Sequence, residues 1–180
     1  MKHFWNSRSR SAGRSGQALL EFTFVAAMLL LLIFGLIDFC RAISVRQVIT
    51  SLTREGSNLA SRNTSLTNAL SAVVASANPL NITNNGRIFI SEVALNDKGQ
   101  AWVTNQVSFG GISTNGASSK VGRPGGPAMT GWIPTTSPTL PPPNQSIYVT
   151  EVFYSFEAVT PVGKFLDFAM PTRLYDAAYF

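Results

Sequence analysis

Glu21 is a carboxylate inside an otherwise apolar stretch, and this placement points to chemistry more clearly than any other feature of the chain. Residues 19–37 hold no other charged side chain. A charge in a membrane-length helix raises the free energy of insertion by about 2.5–3.5 kcal/mol, so such a residue indicates a function rather than stability. Gly16 lies five residues before it, at the end of a basic leader. Gln17 follows the glycine, and Phe22 follows the carboxylate.

The apolar stretch around Glu21 has the length of a transmembrane helix. Its 19 residues extend about 28 Å at 1.5 Å per residue, which is close to the roughly 30 Å of a hydrocarbon core. The leader carries no acidic residue and four basic ones, Lys2, Arg8, Arg10 and Arg14. By the positive-inside rule, this charge favours a cytoplasmic N-terminus. We therefore predict a leader over residues 1–16 and a transmembrane helix over residues 17–40.

The helical pattern continues beyond the membrane as an amphipathic region, predicted over residues 41–78. Its apolar residues recur every seven positions, and we predict that they pack on a small β-domain or on neighbouring helices: Val45, Leu52, Leu59 and Leu66. The opposite face is predicted to meet solvent and carries Arg46, Thr50, Arg54, Ser57 and Ser61. Residues 62–65 are weak helix formers with good N-cap side chains, which predicts a break there. The Asn78-Pro79 step ends the region, since the residue before a proline avoids the α conformation.

Strand patterns fill the rest of the chain, which we predict to be one extracytoplasmic β-domain over residues 79–180. Residues 87–95 and 101–109 are rich in β-branched and aromatic side chains and flank a turn signal at residues 96–99, which predicts a hairpin. Residues 147–159 read as an interior strand, and the aromatic tail from residue 162 as an edge strand or a segment packed on the sheet. The predicted fold class is α+β, with a long N-terminal helix packed on a small antiparallel sheet.

Residues 110–146 differ in composition from the strands around them. They contain 7 of the 10 prolines and 7 of the 14 glycines, with few large apolar groups. Such a segment buries too little surface to offset the entropy of ordering it. Two interpretations stay open: a mobile surface excursion, or an ordered loop that faces a partner and is anchored by Trp132 and Ile133.

Composition argues against an enzyme and against a nucleic-acid-binding protein. The formal net charge is +5, yet removing the leader leaves 10 basic and 9 acidic residues, so the charge reports targeting rather than a nucleic-acid surface. His3 is the only histidine and lies in the leader, so the commonest general base and zinc ligand is missing from the rest of the chain. We predict no catalytic activity, no metal and no cofactor.

Three polar residues stand at the end of the predicted span. Asp38 and Arg41 share a helix face at i and i+3, which predicts a solvated ion pair at the membrane surface. Cys40 is the only cysteine, so an intrachain disulfide is excluded, and we predict a small buried or lipid-facing side chain.

The motif from Gly16 to Phe22 is similar to the processing site of type IV-like prepilins. Together with Gly35-Leu36-Ile37-Asp38-Phe39-Cys40-Arg41-Ala42, Gln47 and Thr53-Arg54-Glu55-Gly56, it resembles the TadE-like family of minor pilins or pseudopilins from tight-adherence (Flp-type) pilus systems. The resemblance implies a pilin-like fold and cleavage by a prepilin peptidase between Gly16 and Gln17. It also implies that Glu21, with Phe22 beside it, pairs with the new N-terminal amine of a neighbouring subunit.

The same resemblance implies partners and a location. The partners are the prepilin peptidase, other pilin or pseudopilin subunits, membrane lipid, and an inner-membrane assembly platform with its secretion ATPase. The location is the bacterial inner (cytoplasmic) membrane as a single-pass protein with its C-terminal domain outside the cytoplasm, or the extracellular pilus after assembly. The alternative is an uncleaved, signal-anchored module for binding or adhesion at the cell surface, with residues 110–146 as its adhesive loop.

Overall fold

The computed structural model of the protein describes residues 12–113, 116–129, 145–165 and 172–180. The helices are α1 Ala12–Ser61, α2 Leu66–Ser76, α3 Ile82–Asn85 and α4 Pro161–Phe165, and the strands are β1 Gly86–Leu95, β2 Ala101–Gly110, β3 Gly126–Pro127, β4 Ser146–Ser155 and β5 Arg173–Tyr179. The strands form one sheet in the order β3-β2-β1-β4-β5, with every described pair antiparallel. The predicted α+β fold, a long apolar N-terminal helix on a small antiparallel sheet, is confirmed.

Helix α1 runs for 50 residues and ends where the sequence predicts a break. Asn63 adopts a left-handed conformation with φ of 61°, which a helix cannot continue through. Ser65 then caps α2, because its side chain accepts a hydrogen bond from the Asn68 N–H at 3.3 Å. The chain thereby reverses after α1, and α2 packs beside it.

The predicted hairpin is present as β1 and β2. Its turn is held by Asn96, whose side-chain oxygen accepts the N–H groups of Lys98 at 3.0 Å and Gln100 at 2.9 Å. Gly99 has φ of 72°, the conformation for which glycine is suited. Strand β4 lies between β1 and β5, as expected for an interior strand, and the aromatic tail supplies β5 as an edge strand.

One face of the sheet packs on α1 and α2 and forms the main core. Leu52 and Leu66 are buried there with Ile88, Ile90 and Val152, and the other two residues of the predicted packing face, Val45 and Leu59, are only partly buried at its margin. A straight α-helix drifts by about 20° per heptad. On α1 this drift carries Val45 and Leu59, one heptad to either side of Leu52, toward the margin of the contact, whereas Leu66 lies on α2.

Small residues let α1 approach the sheet closely. A Cβ on Gly56 would lie 2.7 Å from Thr150 Oγ1, so only glycine lets the helix approach β4 this closely. The prediction that Ser57 faces solvent was wrong. Its buried hydroxyl donates to the Ala178 carbonyl at 2.7 Å and accepts the Thr150 N–H at 3.0 Å. The hydroxyl thus links the helix to two neighbouring strands.

We expect Leu52→Ala to destabilise the domain far more than Leu59→Ala. Leu52 is 2% exposed, so its truncation leaves a cavity in the core, at a cost of about 2–5 kcal/mol. Leu59 lies at the margin, where solvent fills the space. Thermal unfolding of the full chain in detergent, followed by circular dichroism, measures both variants. Equal losses would contradict this assignment of the packing face.

The other face of the sheet is covered by residues 116–129, which we call the strap. Val121 and Ala128 are buried in one cluster with strand residues Val93, Val103 and Val149. Neither interpretation of residues 110–146 describes the strap, because it packs on the protein's own sheet. The few apolar side chains of the strap are buried because a second apolar face of the sheet lies beneath them. Trp132 and Ile133 lie outside the described residues.

Candidate functional site

The first half of α1 is an apolar helix that the domain does not cover. Within the part of the chain that the structure describes, Gly16–Ser61 is the one helix long and apolar enough to cross a membrane. Its most apolar 18-residue window has a mean hydropathy of 2.5 and is 0% buried. Large apolar side chains that project from it include Leu20, Phe24 and Met28. These features fit a single-pass membrane anchor.

Glu21 lies on this exposed helix, one turn after Gln17. Its Oε1 accepts a hydrogen bond from Gln17 Nε2 at 3.0 Å. No ion pair to Glu21 occurs among the side chains that the structure describes. The neutral amide satisfies one lone pair but leaves the charge uncompensated. Phe22 is 70% exposed beside it, so both predicted assembly residues are free of the domain.

Two glycines of the exposed segment have open space around them. A Cβ on Gly16 or on Gly35 would meet no atom of the described residues within 4 Å. Glycine destabilises a helix interior by roughly 0.5–1 kcal/mol relative to alanine. The described part of the fold therefore gives no packing reason for either glycine.

Asp38 joins the end of the apolar segment to the domain. Its carboxylate is 0% exposed. Oδ1 accepts the Val159 N–H at 3.0 Å, and Oδ2 accepts the Thr160 N–H at 3.3 Å and the Thr160 hydroxyl. Arg41 Nη1 lies 3.8 Å from Oδ1. The prediction of a solvated ion pair was wrong, because the domain folds over Asp38 and leaves only Arg41 partly exposed.

The segment that covers Asp38 depends on a glycine at the contact. A Cβ on Gly163 would collide with Asp38 Oδ2 and would lie 2.5 Å from Ala158 Cβ. The Gly163 N–H donates to Thr160 Oγ1 at 3.1 Å, which orients that hydroxyl toward the carboxylate. These contacts hold residues 156–163 against α1 directly after the apolar segment.

A groove of about 890 Å³ runs along the uncovered side of α1, beyond the apolar segment. Three exposed cations line it, Arg46, Arg54 and Arg62, together with the exposed ring of Phe180. The remaining lining residues are Ile43, Gln47, Thr50, Ser51, Glu55, Asn58 and Leu59. The groove is a basic, partly apolar surface continuous with the apolar helix.

Glu151 is a buried carboxylate on the face of the sheet that the strap covers. It is 0% exposed and accepts hydrogen bonds from the Lys120 N–H at 2.8 Å, the Tyr175 hydroxyl at 3.0 Å and the Ser119 hydroxyl. The Lys120 ammonium lies 3.6 Å from the centre of the Tyr175 ring. Three donors from two segments thus converge on one charge and hold the strap on the sheet.

Glu92 and Tyr148 form a polar pair on the helix-facing side of the sheet. Glu92 accepts hydrogen bonds from the Ser146 hydroxyl at 2.9 Å and from the Tyr148 hydroxyl at 3.5 Å. Burial, followed by the negative charge of Glu92, raises the pKa of Tyr148 above its usual 10.0. Tyr148 therefore stays neutral at physiological pH, and its contribution to stability is lost only as the pH rises above that usual value.

Sequence reasoning located Glu21 but missed the roles of Asp38, Ser57 and Glu151. The polar partners of these residues are distant in sequence, so no local spacing reveals them. The described residues contain no group of three or more His, Cys, Asp or Glu side chains that could hold a metal ion.

The structure describes an α+β protein whose long N-terminal helix is apolar and exposed. Residues 16–58 match the family model described as TadE-like protein, which confirms the resemblance seen in the sequence. No curated protein and no solved structure matches the chain. The matched segment contains Glu21, Asp38 and Gly56 and ends before the sheet begins. It supports a pilus-associated, membrane-anchored protein.

Proposed function

We propose that this chain is a minor pilin or pseudopilin of a tight-adherence-type pilus, cut by a prepilin peptidase after Gly16 and built into an assembly through Glu21. The observation that carries the proposal is Glu21 itself, an uncompensated carboxylate on an apolar helix that the domain leaves free. A charge in such a place needs a cation from another molecule, because an unpaired charge in an apolar phase costs several kcal/mol.

The N-terminal amine of a neighbouring subunit is the partner that fits this carboxylate. Cleavage before Gln17 turns its backbone nitrogen into an ammonium group. Within one chain this nitrogen lies four residues before Glu21, about 6 Å away along the helix axis. A parallel helix displaced by about one turn would bring its own ammonium alongside the carboxylate. The pairing therefore favours staggered neighbours, which is the arrangement of a filament.

Two further surfaces support contacts with other subunits. Gly35 has open space where a side chain would lie, and small residues let helices approach closely within a membrane. The basic groove lies along the uncovered side of α1 above the span. The proposed partners are other pilin or pseudopilin subunits, membrane lipid, the prepilin peptidase, and an assembly platform with its secretion ATPase.

The proposed location is the bacterial inner membrane, with the N-terminus in the cytoplasm and the domain outside it. The basic leader supports this orientation. The proposed role is structural: the polar clusters at Asp38 and Glu151 are occupied by hydrogen bonds that join segments of the fold, and we assign no catalysis, cofactor or nucleic acid to the chain.

We expect the mature protein to begin at Gln17. Intact-mass analysis of membrane-extracted protein from cells with and without the prepilin peptidase should show loss of residues 1–16 only when the peptidase is present. Gly16→Leu should block the cut without affecting the fold, because the added side chain meets no atom of the described chain near its Cβ. Gly13→Leu is the matched control, a glycine three residues earlier that should leave cleavage intact.

A chain that keeps its leader in both strains would contradict the proposal. That outcome would favour the uncleaved, signal-anchored binding module instead.

A further inference from the structure

We propose that residues 156–164, which we call the foot, lie on the surface of the lipid bilayer at the end of the span and fix how deeply α1 is inserted. This inference rests on the membrane anchoring in the proposed function. The partner is the boundary between lipid headgroups and acyl chains, on the side of the membrane where the domain folds.

The hydrogen bonds of Asp38 place the foot at the level where the apolar segment ends. Asp38 directly follows residue 37, the last residue of the apolar stretch, and its carboxylate lies 3.0 Å from the Val159 nitrogen. Thr160 and Gly163 contact the same carboxylate. Because one helical turn rises only about 5.4 Å, the foot lies within about a turn of this boundary. A bilayer that contains the apolar segment therefore meets the foot.

Two exposed apolar side chains at this level suit the interface of a bilayer. Val159 is 64% exposed although its backbone is tied to Asp38, and Phe39 on α1 nearby is 56% exposed. Among the described residues, the charged groups at this end are two acids, Asp38 and Glu157, and two bases, Arg41 and the exposed Lys164. Since these described charges balance, we take apolar contact rather than attraction to anionic lipid to hold the foot on the membrane.

A foot at this level determines the depth of Glu21. Asp38 lies 17 positions after Glu21, and this separation corresponds to about 25 Å of helix. With Asp38 held at one boundary of a hydrocarbon core of roughly 30 Å, the Glu21 backbone lies about 5 Å inside the opposite boundary. The domain thus prevents the helix from shifting far enough to bring Glu21 fully into water.

Nitroxide spin labels on the full chain in vesicles test this placement. In a Cys40→Ala background, single labels are introduced by Val159→Cys in the foot, Met28→Cys in the middle of the span and Lys98→Cys in the hairpin turn. The protein is reconstituted at low density in phosphatidylcholine vesicles, with and without phosphatidylglycerol, so that lipid is the only partner present. Collisions with oxygen and with a water-soluble nickel complex then report the depth of each label.

We expect the Val159 label to lose collisions with the nickel complex relative to the Lys98 label, to lie between it and the Met28 label, and to be unaffected by phosphatidylglycerol. A Val159 label as accessible to the nickel complex as the Lys98 label, with the Met28 label protected, would overturn the foot and leave the anchor standing. A Met28 label as accessible as the Lys98 label would overturn the anchor and the foot together.

A second variant tests the positioning role of Asp38. Asp38→Asn removes the charge of the group that accepts the hydrogen bonds from Val159 and Thr160. The label at residue 159 should therefore become more mobile and more accessible to the nickel complex. The Lys98 label is the folding control and should keep its spectrum. An unchanged depth at residue 159 in this variant would overturn the role of Asp38 in holding the foot.

Discussion

Glu21→Ala should abolish incorporation of this subunit into pili while leaving its membrane insertion and its processing intact. Insertion survives because removing a charge from an apolar helix favours the bilayer. Processing survives because Gly16 and Gln17 are unchanged. Assembly fails because a subunit without the carboxylate leaves the ammonium of its neighbour unpaired, and breaking such a buried pair costs about 3–5 kcal/mol. At 1.4 kcal/mol per factor of ten, this corresponds to a loss of roughly a hundredfold or more.

The measurement combines electron microscopy of pili with immunoblots of the membrane and pilus fractions. Glu21→Asp should be intermediate, because it keeps the charge with a reach shorter by one methylene group. Thr23→Ala is a matched control on the same exposed helix: its hydroxyl donates only to the Leu19 carbonyl at 2.8 Å, so its loss should leave assembly unchanged.

A carboxylate that only reaches back to the headgroups predicts a different result. In that case both Glu21 variants would assemble as the wild type does. Normal pilus numbers with Glu21→Ala at normal protein level would therefore remove the mechanism from the proposed function.

Glu151→Ala should be the most destabilising single substitution in the domain outside the apolar core. It removes the buried carboxylate that accepts hydrogen bonds from the Lys120 N–H, the Tyr175 hydroxyl and the Ser119 hydroxyl. A hydrogen bond to a charged group contributes about 1.5–3 kcal/mol, so a loss of about 3 kcal/mol or more is expected. In a protein of this size that corresponds to a fall in Tm of roughly 6–12 °C.

Thermal unfolding in detergent measures the loss of stability, and limited proteolysis measures the release of the strap from the sheet. Trypsin should cleave after the exposed Lys120 sooner in the Glu151→Ala variant, because the strap is no longer held on the sheet. Glu157→Ala is the matched control, since Glu157 is exposed and a surface change of this kind usually stays within about 0.5 kcal/mol. Equal melting temperatures for the two variants would contradict the role of Glu151.

The predictions from sequence succeeded where the signal was local. The helix break before Ser65 and the hairpin around Asn96 both follow from side chains that bond to backbone groups a few residues away. The strap was misjudged because its few apolar side chains matter only against the second face of the sheet. The solvent-facing assignment of Ser57 failed for a related reason. A polar side chain on a helix is predicted to be exposed, because the strands that bond to it are distant in sequence.

By itself, the sequence determined the apolar span, the basic leader, the position of Glu21 within that span and the order of helix and strands, because each depends on composition or on a period of two to seven residues. Only the tertiary structure decided how the charges are used. Asp38 meets Val159 across 121 positions and Glu151 meets Lys120 across 31, while Glu21 stays free of the domain. A buried carboxylate accepts hydrogen bonds from the donors that the folded chain brings within about 3 Å, and the spacing of residues in the sequence does not show which donors these are.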